Sequence, residues 1–197
     1  MALINLRNAL MAGKRLPYDN EIEYLESTGT AWIDTGEKIY DDTSVTVTMY
    51  NDQSTETATY FFGSDSSTER FYFREYQGKA SFSTGGWWQN TSISIVGTHT
   101  VELTNNSITV DGVSSSRPGT SKTGAGKLLL FKAGTYAITG GFRIFSCQIY
   151  QNGILVRDFI PVRKGTVGYL YDRVTGALFG NAGTGDFVIG PDIPSPV

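Results

Sequence analysis

Residues 142–162 read FRIFSCQIYQNGILVRDFIPV. Two apolar-patterned runs, Phe142 to Tyr150 and Ile154 to Val162, flank Asn152-Gly153. An Asn-Gly pair between such runs is the strongest short-range hairpin signal, because both residues tolerate positive φ. Working outward, the same pattern recurs along the chain. Lys127 to Ala133 (KLLLFKA) is a nearly continuous apolar run, as expected of a strand buried inside a sandwich. Thr98 to Val110 reads as a hairpin turning at Asn105-Asn106, with Asp111-Gly112 as the next turn. Val45, Val47 and Met49 alternate with Thr46, Thr48 and Tyr50; Phe71 and Phe73 alternate with Tyr72 and Arg74; Ile93 and Ile95 alternate with Ser92 and Ser94. Tyr169 to Tyr171 and Phe187 to Ile189 complete roughly a dozen short strands, a count and spacing that predict an all-β, two-sheet antiparallel sandwich. Ser114 to Gly126 (SSSRPGTSKTGAG) reads as a flexible loop by composition.

Composition agrees and narrows the chemistry. The 197 residues include 23 Gly, 11 Tyr and 11 Phe, but charged residues make up only 18%. Turn formers and β formers fill the difference. No apolar run approaches the length of a spanning helix, so no membrane partner is expected. A net charge of −3 argues against nucleic acid, whose phosphates call for a basic face. A single Cys147 and a single His99 exclude an internal disulfide and any Cys- or His-cluster metal site, and no cofactor is expected.

Residues 1–17 differ from the rest. Leu3, Leu6, Leu10 and Met11 fall on one face of a helix, with Ile4 beside them. Gly13 and Pro17 would end it. So short a helix is marginal alone, so its apolar stripe must lie on its own domain or on another chain. Arg7 interrupts the apolar stretch, and the basic Lys14 and Arg15 follow it, which is not the layout of a secretion signal.

Glu23–Gly36 (EYLESTGTAWIDTG) and Leu155–Pro191 (LVRDFIPVRKGTVGYLYDRVTGALFGNAGTGDFVIGP) resemble the two ends of a concanavalin A-like lectin/glucanase (laminin-G-like) module. That module is common in phages and prophages of gut bacteria, especially of Bacteroides. FRIFSCQIYQNGILVRDFIPV fits its interior, with Cys147 at a small core position, and LRNALMAGKRLPYD resembles the leader that phage structural versions place before it. The resemblance implies a jelly-roll sandwich over residues 18–191, an N-terminal helical or extended anchor at 1–17, and an extended tail at 192–197. It also implies a virion location and no catalytic activity. The expected protein is a structural or decoration component that docks on capsid or tail proteins through Leu3, Ile4, Leu6, Leu10 and Met11. Homo-oligomerisation and a host glycan are further expected partners. A bacterial carbohydrate-binding adhesin is the alternative, and a laminarinase-like glycoside hydrolase the distant one.

The end motifs also have a physical reading. Asp172 and Asn181 suit turns in which the side chain bonds nearby backbone, and Tyr24, Trp32 and Ile33 suit a core closed by pairing of the terminal strands. Of the constellations that could carry chemistry, Glu21-Ile22-Glu23-Tyr24-Leu25-Glu26 mimics a glucanase catalytic strand, but it opens the domain and has Glu23 for the expected Asp. Gly124-Ala125-Gly126-Lys127 lacks the remaining P-loop residues. His99 sits in an alternating strand and reads as an exposed strand histidine rather than a triad base. Asp41-Asp42 and Asp65 fall in expected loops, with no cluster that marks a Ca²⁺ site. The strongest recognition feature is Gly85-Gly86-Trp87-Trp88-Gln89-Asn90. Adjacent tryptophans on a strand would point to opposite faces, which leaves one as an exposed platform for a sugar ring or both packed. Arg70, Arg74, Tyr72, Tyr76 and Gln89 would supply polar contacts if their strands are neighbours.

Overall fold

The computed structural model describes residues 15–52, 54–66, 69–137 and 141–194. The expected anchor residues Leu3, Ile4, Leu6, Leu10 and Met11 lie outside them. The strands in chain order are β1 (Asn20–Glu21), β2 (Leu25–Ser27), β3 (Ile33–Tyr40), β4 (Ser44–Asn51), β5 (Thr59–Asp65), β6 (Arg70–Tyr76), β7 (Lys79–Ser83), β8 (Gln89–Ser94), β9 (Gly97–Leu103) and β10 (Ser107–Val110). They continue as β11 (Val113–Ser116), β12 (Thr123–Leu130), β13 (Lys132–Ala133), β14 (Tyr136–Ala137), β15 (Phe142–Gln151), β16 (Ile154–Lys164), β17 (Val167–Asp172), β18 (Leu178–Phe179) and β19 (Phe187–Ile189). All pairings are antiparallel. The larger sheet runs β11-β10-β9-β4-β15-β16-β17-β18, with β1, β2 and β19 joined to it; the smaller runs β3-β12-β5-β6-β7-β8. This is the two-sheet antiparallel arrangement that the strand pattern predicts.

Local chemistry explains the elements. Asn152 and Gly153 both adopt positive φ, 52° and 69°, and Gln151 pairs with Ile154 across them. Positive φ at both central residues matches the strand twist of a tight hairpin. Val45, Val47 and Met49 are fully buried, while Thr46, Thr48 and Tyr50 on the other face are not. They meet Val101, Leu103, Ile144, Cys147 and Ile149 of β9 and β15 in one core. The small sheet contributes Phe61, Phe62, Phe71, Phe73 and Phe82 to the same core. Phe61 stacks on Phe142 of the large sheet at 4.4 Å and 18°, so aromatic rings join the two layers.

An early and a late strand, β2 and β19, pair within the large sheet. β2 pairs with β15 on one side and β19 on the other: Ser27 lies opposite both Phe142 and Phe187, and Leu25 opposite both Ile144 and Ile189. The expected pairing of terminal strands is therefore present. Farther out, Ile22 bridges Asp192, and Arg163 grips both Asp192 oxygens at 2.5 and 2.6 Å. Asp172 and Asn181 bond neighbouring backbone as their turns suggest: Asp172 accepts from the Val174 amide, Asn181 from the Gly183 amide.

Two expectations are corrected. Much of Ser114 to Gly126 is strand, because β11 and β12 occupy its ends. The connection between them is pinned by remote acceptors: the Arg117 amide donates to Asn106 O, the Thr120 amide to Thr84 O, and the Lys122 amide to Asp41. A Ser/Gly composition signals low intrinsic order, and long-range hydrogen bonds override it. The second concerns β6. Phe71 and Phe73 face the core as the alternation implies, yet Tyr72 and Arg74 on the opposite face are buried too. Tyr60, Tyr72 and Ala133 form a second cluster there, and the β13–β14 hairpin supplies its cover.

Gly63 marks the tightest backbone approach in the small sheet. Its φ is +128°, and a Cβ there would stand 2.2 Å from Phe71 O and 2.5 Å from Tyr72 Cα. Gly153 has nothing within 4 Å. Gly63→Ala is expected to cost about 2 kcal/mol or more, against about 1 kcal/mol for Gly153→Ala, read as shifts in the urea midpoint; equal costs would refute the crowding argument. The terminal clasp gives a pH prediction. Donation from Arg163 chiefly, then from Asn20, holds the Asp192 carboxyl below the usual carboxylate range. A depressed carboxyl stabilises fully above its unfolded value, near about 4, and loses that contribution as pH falls through the lower folded value. Hydrogen-exchange protection of residues 187–193 should thus hold from neutral pH down to about 5 and fall below about 4, and Asp192→Asn should remove that pH-dependent loss.

Candidate recognition surface

The outer face of the small sheet carries the residues singled out around the tryptophans. Arg70, Tyr72, Arg74 and Tyr76 alternate along β6, and β7 lies beside them with Ser83 opposite Tyr72 and Ser81 opposite Arg74. Tyr60 of β5 lies opposite Arg74 on the other side. These strands are neighbours because their inner faces bury five phenylalanines in the core, which turns the alternate residues outward.

Trp87 and Trp88 do not lie on a strand. β7 ends at Ser83 and β8 begins at Gln89, and Gly85 and Gly86 between them adopt φ of 135° and 54°. Those dihedrals break the extended backbone, so the expectation of one indole in and one out fails. Both are exposed, Trp87 by 71% and Trp88 by 45%, with ring centroids 5.5 Å apart and planes at 79°. The loop that carries them is firmly tied. Arg70 donates from Nη1 to Gly86 O at 2.8 Å and from Nε to Asp65 at 2.9 Å, and its guanidinium lies 5.9 Å from the Trp87 ring. Arg117 donates to Trp87 O. Lys122 donates to Thr84 O at 2.7 Å. A Cβ on Gly85 would stand 2.1 Å from Thr120 Oγ1, so the loop packs directly on the β11–β12 connection.

Arg74 sits beneath this loop. It is 6% exposed and donates from Nε to Ser81 at 3.0 Å and from Nη1 to the Tyr60 hydroxyl at 3.0 Å. Three aromatic rings surround its guanidinium: Trp88 at 4.6 Å, Tyr60 at 5.5 Å and Tyr72 at 5.9 Å. The negative faces of those rings offset part of the cost of burying a charge. Tyr60 in turn stacks on Tyr136 of β14 at 4.7 Å. Burial pushes the Tyr72 phenol up to about 12, with Tyr60 nearby adding to the rise, so it stays protonated at neutral pH. The structure therefore brings Trp87, Trp88, Arg74 and Tyr72 together. Gln89 turns away to Ser115 at 2.9 Å, and no contact ties Tyr76 to the indoles among the described residues. Tyr60, Tyr136 and Arg117 join the surface without a sequence signal, because they come from β5, from β14 and from the β11–β12 connection.

The remaining candidates are engaged elsewhere. Glu26 is ion-paired to Arg143 at 2.6 Å, Glu21 accepts from the Tyr18 hydroxyl, and the strand is interrupted between β1 and β2. Burial foremost, with Glu21 nearby, raises the Tyr18 phenol. His99 on β9 contacts Asp111 at 2.6 Å through Nδ1 and Val96 O at 3.2 Å through Nε2, so no hydroxyl occupies the position a nucleophile would need. Gly124 to Lys127 lies on β12, where the Ala125 amide donates to Glu69 rather than facing an open phosphate cradle. Asp41 accepts from Lys122 and Ser121, and Asp65 from Arg70. Among the described residues no group of acids, histidine and cysteine has metal-holding geometry. A hollow of about 310 Å³ beside β17 and β19 is lined by Thr166, Val167, Gly168, Asn181, Asp186 and Phe187, of which only Asp186 is charged.

If the indoles are a working surface and not packing, they are dispensable for folding. Trp87→Ala should shift stability by less than about 0.5 kcal/mol, whereas Arg74→Ala, which strands the Tyr60 and Ser81 hydroxyls, should cost about 1–3 kcal/mol. Urea unfolding of both variants checks this, and a Trp87→Ala loss as large as that of Arg74→Ala would make the indole structural. Neither a protein-family model nor a curated protein matches this sequence.

Proposed function

We propose that this chain is a structural or decoration protein of a bacteriophage particle, held by its N-terminal segment 1–17 and displaying an outward β-sandwich that grips host-surface glycans. The sandwich on this reading is a concanavalin A-like jelly roll. Support comes from the family-like end motifs, which lie at the junction where β2 meets β19 in the sheet. The observation that carries the recognition half is the Trp87–Trp88 pair. Large aromatic surface left in water is costly unless used, and rigid indoles give contact area with little entropy loss on binding. Their loop is tied by Arg70, Arg117 and Lys122, so the platform is formed before any ligand arrives. Binding rather than catalysis is the activity proposed, since the Glu21–Glu26 carboxylates are spent on Tyr18 and Arg143 or separated by the strand break.

Two measurements test the two halves. Deleting residues 2–15 should abolish incorporation into particles while circular dichroism still reports a folded β domain; full occupancy of the truncated chain would end the anchor proposal. On a glycan array the intact chain should bind at least one sugar, and Trp87→Ala and Trp88→Ala should each weaken it by about 1–3 kcal/mol, in the range of a lost stacking contact at a binding hot spot. An array without any signal from the intact chain would end the lectin proposal.

A further inference from the structure

Arg74 carries a charge that no carboxylate among the described residues pairs with. Its compensation is π faces and two neutral hydroxyls. Nη2 donates to no acceptor among the described residues, and the Arg74 side chain makes no further hydrogen bond or ion pair there. Thr84 Oγ1 is the one sealed side-chain polar atom without a partner among the described residues, so Nη2, also without one, keeps contact with solvent. Arg117, which holds the Trp87 carbonyl, has no carboxylate partner among them either. Of the three arginines that touch the indoles or their backbone, only Arg70 is paired, with Asp65. A chain of net charge −3 thus keeps two guanidinium groups without a carboxylate partner among the described residues beside its most exposed aromatic surface.

We propose that this surface takes an anionic sugar, whose ring stacks on the exposed indoles while its carboxylate or sulfate group accepts from Nη2 of Arg74, with Arg117 adding to the field. The inference rests on the glycan-platform reading above and adds its charge class. Guanidinium groups without a carboxylate partner suit oxyanions such as carboxylate and sulfate, which accept charge-assisted hydrogen bonds that neutral hydroxyls cannot match. A neutral sugar would leave the buried guanidinium as uncompensated as it is in the free protein. A carboxylate or sulfate would complete it.

The test prints uronic-acid, sialic-acid and sulfated oligosaccharides, each beside its own neutral counterpart (carboxyl-reduced or desulfated), and probes them with the full chain. The expected result is a preference of about tenfold or more for the charged member of at least one pair, the size of one hydrogen bond to a charged group. Arg74→Gln should erase that preference, so that charged and neutral members of a pair bind alike; Trp87→Ala should weaken both members together. If Arg74→Gln fails to fold, Arg117→Gln, on the exposed connection, should still lower the preference severalfold. Which pairs respond separates carboxylate from sulfate. Equal binding of both members, or a charge preference unmoved by the arginine variants, overturns the anionic-sugar site while leaving the indole platform standing. Silence across neutral and charged members overturns both.

Discussion

A three-residue strand carries both ends of the domain. β2 is hydrogen-bonded on one edge to β15, a central strand of the large sheet, and on the other to β19, the last strand among the described residues. Leu25 at its start is fully buried, and a Cβ added to Gly168 of β17 would stand 2.4 Å from its Cδ1, so this junction is packed as tightly as the core. Backbone groups buried there have no access to water and must pair within the sheet. Were β2 absent, β19 would lose its partner and the inner end of β15 would open on that edge. The Arg163–Asp192 clasp and the Ile22–Asp192 bridge lie outside this pair and secure the residues C-terminal to β19.

The small sheet depends on the same closure in a different way. The inner faces of β5, β6 and β7 bury five phenylalanines, and the Phe61–Phe142 stack ties the sheet to the strand that β2 supports. Once that face is fixed, the alternation of β5 and β6 places Tyr60, Tyr72 and Arg74 outward, where the β13–β14 hairpin covers one side and the Trp87–Trp88 loop the other. The buried guanidinium and the exposed indoles are therefore one construction. The rings shield the charge, and the charge orients the rings. Gly85 and Gly86 make it feasible, because their positive φ turns the loop back over β6.

Much of the fold was legible because its signals are local. Asn152-Gly153 marks a hairpin whatever surrounds it, and Val45, Val47 and Met49 alternate by the geometry of a single strand. β1 was not legible, since it exists only through its distant partner β16, and the two-residue β14 and β18 are too short for alternation to mark them. Composition misleads over Ser114–Gly126 as well: the order of this stretch comes from its pairing with β10 and from Asn106, Thr84, Asp41 and Glu69, the last three far off in sequence. The candidate surface divides similarly. Trp87, Trp88, Tyr72 and Arg74 could be picked out by type and spacing. The orientation of the indoles could not, because it depends on dihedrals at two glycines, and the parts played by Tyr60, Tyr136 and Arg117 depend on which strands and loops adjoin.

By itself the sequence determined the secondary-structure class, the inward and outward residues of the longer strands, the turn at residue 152, and the scarcity of groups for metal or thiol chemistry. These come from residue type and a period of two, which need no knowledge of distant partners. Tertiary structure alone decided that β2 joins β15 to β19, that Tyr72 and Arg74 are buried on the outer face, and that both tryptophans remain in solvent above an arginine without a counter-charge among the described residues. Each of these is a relation between segments far apart in the chain, and only packing sets such relations.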